Sequence, residues 1–191
     1  RELRYYLRIN GNRLVEVDIK SSQPYVLGSI LTDRFFSGDY RIDYSLIKLY
    51  PQLYNQLNYI SSNPTSGVTS KIEKSIYNNK KGFPMYFMSG GLDNCQEIQS
   101  YRNLPFKEGF YSHFNSSYLN GDFETQKVKD DIMLLLNMES LKKRKHIELI
   151  QQFAIQFPNI NSFIESLNSF EKFKAAVAIL LQRTESYLFL L

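Results

Sequence analysis

The sequence has no tryptophan, one cysteine (Cys95) and two histidines, His113 and His146. A single cysteine excludes an intrachain disulfide framework and points to a reducing compartment. One cysteine and two separated histidines are too few ligands for a Cys/His zinc site, and the histidines are too isolated to be assigned as general bases. No run is long and apolar enough to read as a membrane span: the most apolar stretch, residues 175–191, is interrupted by Gln182, Arg183 and Glu185. The chain opens on the charged, aromatic RELRYYLR and shows no signal peptide. Gly90-Gly91 reads as a turn and not as a phosphate loop, because no Lys-Ser/Thr pair follows it on a strand–loop–helix unit. Internal repeats and low-complexity tracts are also missing.

What is present is ordinary globular composition. The chain has 191 residues, 43% hydrophobic and 22% charged, enough for one or two domains with a core. A net charge of +4 is compatible with nucleic acid without specifying it. Arg1 stands first, and Leu191 falls inside an apolar helical run with no cap or breaker, so the sequence reads as a piece of a longer chain.

Residues 4–9 and 13–19 alternate like strands around Asn10-Gly11, the strongest short hairpin signal. The second run ends in a carboxylate, Asp18. A polar turn, Lys20-Ser21-Ser22-Gln23, then leads into an apolar helical run from Pro24, with Ser21 or Ser22 as its cap and Val26, Leu27, Ile30 and Leu31 as its stripe. A carboxylate at the rim of a sheet is well placed to be a metal ligand. Residues 38–60 predict short helices interrupted by Pro51, and residues 61–69 a loop. Residues 71–81 predict a basic helix, and residues 92–105 are weakly patterned. Further helices are expected over 106–119, 123–138, 146–157, 161–168 and 170–191. A turn is expected at Asn120-Gly121-Asp122, a break at Phe157-Pro158-Asn159, and Lys142, Lys143, Arg144 and Lys145 form a compact basic cluster.

The stretch Val17-Asp18-Ile19, Lys20-Ser21-Ser22-Gln23 and the helix from Pro24 resembles motif A of the family A nucleic-acid polymerases. Later segments follow in the family's order. Residues 127–137 resemble the fingers helix, Phe157-Pro158-Asn159-Ile160 the segment between fingers and palm, and Leu180-Leu181-Gln182-Arg183-Thr184-Glu185 the helix near the primer–template duplex. The resemblance covers scattered positions and departs from the family in several places. Gln23 stands where DNA-synthesising members have Glu, Met133 where an aromatic is usual, and Asn137-Met138 where Tyr-Gly is usual. No His-Asp motif C follows Gln182, so the resemblance ends before that motif.

The resemblance implies an α+β fold: a small antiparallel palm sheet with packed helices and a helical fingers-like insertion. Residues 1–37 would be the first part of the palm, 38–156 the insertion and 157–191 the second part. It implies template-directed nucleotidyl transfer by a two-metal mechanism, as DNA or RNA polymerase, in a phage- or mobile-element-type replication protein acting in the (host) cytoplasm. Asp18 would be the catalytic carboxylate and would bridge two Mg2+ ions, with the Ile19 carbonyl as a further ligand. The second carboxylate is expected beyond Leu191, because Asp130 and Asp131 would sit beside Lys129 and not across from Asp18. Lys129 would neutralise the triphosphate. Gln23, Met133 and Asn137 would contact the nucleotide; Lys129, Met133 and Asn137 share one helix face by their i, i+4, i+8 spacing. Gln182 and Arg183 would touch the duplex, whose minor-groove edge is nearly the same for every base pair. Lys142, Lys143, Arg144 and Lys145 would bind phosphates in a salt-dependent way. The partners implied are primer–template and nucleoside triphosphates, with no membrane.

Each feature also has a plainer reading. Asp18 can cap the helix that follows it, and Lys127 and Lys129 can be the solvated face of an amphipathic helix. Two alternatives therefore stand beside the enzyme: a degenerate, non-catalytic polymerase-like module that binds nucleic acid, and an unrelated helical interaction domain.

Overall fold

The structure, a computed structural model, describes residues 8–9, 12–13, 21–62, 90–106, 109–137, 147–168 and 175–189. Two short strands, β1 (Arg8–Ile9) and β2 (Asn12–Arg13), pair antiparallel with Arg8 opposite Arg13 and Ile9 opposite Asn12. This is the register that a two-residue Asn-Gly turn requires. No other strands pair among the described residues.

The expected α+β fold with a palm sheet is corrected here: the architecture is helical. A ladder of two residues per strand covers no face of a core. The described core lies instead on helices and the turns between them.

Two of the prolines that the sequence presents as interruptions in fact open helices. In chain order, α1 spans Ser22–Ile30, α2 Asp33–Phe36, α3 Leu46–Leu49 and α4 Pro51–Ser62. They are followed by α5 (Gln96–Arg102), α6 (Phe110–Tyr118), α7 (Thr125–Asn137), α8 (Glu148–Gln156), α9 (Pro158–Asn168) and α10 (Ala176–Phe189). Pro51 and Pro158 are the first residues of α4 and α9, where a missing N–H leaves no hydrogen bond unmade. The break expected at 157–159 is therefore one residue wide. Phe157 ends α8, its N–H bonding the Phe153 carbonyl, and its own carbonyl accepts from Asn161 in α9. Residues 61 and 62, expected in a loop, belong to α4.

The turn between α6 and α7 is built as the sequence suggests. Asn120 and Gly121 both take positive φ, 55° and 78°, and buried Asn115 clamps the turn through both the N–H and the carbonyl of Phe123. Thr32 caps α2 by accepting from the Phe35 N–H at 3.1 Å.

A single apolar cluster runs through the described chain from Val26 to Leu181 and draws on all three expected segments. At its aromatic centre, the Tyr101 ring packs edge-on against Phe106, Phe110, Phe153 and Phe157. Helix α10 is the common neighbour of α1, α3, α7 and α9, which is why Val177, Leu180 and Leu181 are fully buried. Among the described residues, no helix is long and apolar enough to cross a membrane.

One position after α2 has no room for a side chain unless Tyr54 moves. Gly38 has φ +72°, and a Cβ there would lie 2.0 Å from the Tyr54 hydroxyl oxygen and 2.7 Å from its Cζ. Gly38→Ala is expected to cost about 1–2 kcal/mol from the left-handed backbone alone, plus the displacement of Tyr54. Urea denaturation checks this, and a Gly38→Ala/Tyr54→Ala double mutant should recover only the clash part of the loss.

Candidate functional site

Helix α1 begins four residues after Asp18 in the sequence. Asp18, Ile19, Lys142, Lys143, Arg144 and Lys145 lie outside the described residues. Among the described residues, the first turn of α1 is held by contacts from α5 and α6. Ser21 stands at the N-cap with φ 58° and ψ 33°, a left-handed conformation uncommon for a non-glycine residue, and its side chain caps no backbone N–H. Its hydroxyl bonds instead to Tyr111, countering part of the upward push that burial gives that phenol. The Tyr101 hydroxyl donates to the Pro24 carbonyl at 3.1 Å. Gln23 is half-buried, and its Oε1 is enclosed without a hydrogen-bond partner.

The predicted stripe Val26, Leu27, Ile30 and Leu31 is buried, and α1 packs against α10. Helix α1 carries Gln23 in its first turn and α10 carries Gln182 and Arg183 midway along its length, more than 150 residues apart in sequence. Helix α10 also packs against α7. The three helices that carry the resemblance thus meet through α10.

The side chains on them differ in their freedom. Lys129 is exposed on α7, at the edge of the buried stripe of Val128, Ile132, Leu135 and Leu136. Met133 is half-buried, and Asn137 turns its amide back to the Met133 carbonyl at 2.7 Å. Gln182 is exposed. Arg183 is engaged within the fold: its Nη1 donates to the Leu49 carbonyl at 3.1 Å, and its guanidinium lies 4.3 Å from the centre of the Tyr50 ring. That pairing ties α10 to the α3–α4 corner.

Among the described residues, no group of three or more His, Cys, Asp or Glu is arranged to hold a metal ion. Asp130 accepts from Gln126 one turn earlier on α7 at 2.8 Å. Three other carboxylates serve the fold. Asp33 accepts from the Leu92 N–H at 2.8 Å, Asp93 pairs with Arg102 at 3.0 Å, and Glu97 receives the N-terminus of α9.

On the opposite side of α1 from its buried stripe, the reading by motif passed over a groove. Tyr25, Gly28, Ser29 and Thr32 recur at helical spacing and form one wall, with Arg102 and Phe106 across from them. The signal was present in the sequence as an aromatic and a glycine on the polar face of an otherwise apolar helix. No protein-family model matches the chain, and no curated protein and no solved structure matches it.

Proposed function

We propose that the protein is a template-directed nucleotidyltransferase of the family A polymerase type, acting in the cytoplasm on primer–template and nucleoside triphosphates. The observation that supports this most is the packing of α1, the helix that follows Asp18, directly on α10, the helix of Gln182 and Arg183, with α7 and its exposed Lys129 on the same neighbour. In this reading Asp18 and the Ile19 carbonyl bind Mg2+, and Lys129 neutralises the triphosphate. Gln182 faces the duplex, and Lys142, Lys143, Arg144 and Lys145 hold phosphates. A second carboxylate is required, since two ions held a few ångströms apart need more negative charge than Asp18 alone supplies.

The test is Mg2+-dependent primer extension by the full-length protein. Asp18→Ala is expected to reduce it about a hundredfold or more, since a bridging ligand contributes several kcal/mol to the transition state. Extension by Asp18→Ala at the wild-type rate would sink the proposal.

A further inference from the structure

We draw no further inference here: the strongest candidate, the unpartnered polar atoms Asn161 Oδ1, Asn168 Nδ2 and Thr184 Oγ1 on the packed helices α9 and α10, is closed to solvent at every atom, and nothing in the structure shows what would reach it.

Discussion

Replacing Tyr101 by alanine is expected to destabilise the fold by about 3–5 kcal/mol, the cost of emptying an aromatic site in a core that cannot fully collapse. Tyr101 is 1% exposed. Its ring touches aromatics from α6, α8 and the connections beside them, and its hydroxyl reaches the first turn of α1. The loss should appear as a lower urea midpoint with an unchanged slope.

Tyr101→Phe keeps the ring and removes only the bond to the Pro24 carbonyl, so a loss of about 1 kcal/mol is expected at neutral pH. The two effects separate further with pH. Burial, and secondarily Tyr111, push the Tyr101 hydroxyl far above its ordinary value of 10.0. The folded protein therefore keeps a proton that the unfolded chain releases, and stability falls as pH rises past about 10. Tyr101→Phe has no such proton to keep. Its deficit against wild type should shrink between about pH 9 and pH 11; a constant deficit would show that the hydroxyl is open to water.

Why some of this was legible in the sequence and some was not follows from how each element is stabilised. Helices α1, α7 and α10 bury regular stripes, Val26–Leu27–Ile30 and Val128–Ile132–Leu135 among them, and periodic burial is what a sequence displays directly. Helix α5 buries only Ile98 and Tyr101 between polar residues, so residues 92–105 looked unpatterned although Tyr101 is the aromatic centre. Pro51 and Pro158 look like breaks because proline interrupts a helix from within; only the partners of the following N–H groups show that it starts one. The alternation over residues 4–9 and 13–19 reads as a hairpin, and the palm sheet is implied by the resemblance alone. Period-2 alternation records a possible strand, whereas a sheet needs further strands to pair with it. For the site, the helices of the resemblance do meet, but a motif gives no sign that Arg183 is held by a carbonyl 134 residues earlier. The groove of Tyr25 and Arg102 joins residues from two helices and belongs to no linear motif.

The contact least visible in the sequence is the one Glu97 makes, and Glu97→Ala is expected to cost about 2–4 kcal/mol. Helix α9 starts with an uncapped end. Phe157, its N-cap, has no side-chain acceptor, and its backbone N–H and carbonyl already serve α8 and Asn161. Pro158 has no N–H, so the first free donors are those of Asn159 and Ile160. Glu97 Oε1 accepts from both, at 2.8 and 2.9 Å, and Oε2 accepts from the Asn159 side chain at 2.7 Å. A carboxylate 62 residues away thus takes the part of a capping serine or aspartate and adds its charge to the positive end of the helix. Removing it strands two N–H groups beside the buried Phe157 and Ile160, at about 1–2 kcal/mol each. Glu97→Gln keeps an acceptor oxygen but loses the charge, and should lose about half as much. Hydrogen exchange distinguishes this from a general loosening: the amides of Asn159 and Ile160 should lose protection in Glu97→Ala while those of α7 keep theirs. Equal loss in both helices would mean that Glu97 supports the core as a whole. The expected pattern would establish it as the cap by which α5 fixes the start of α9, and so the packing of α9 under α10.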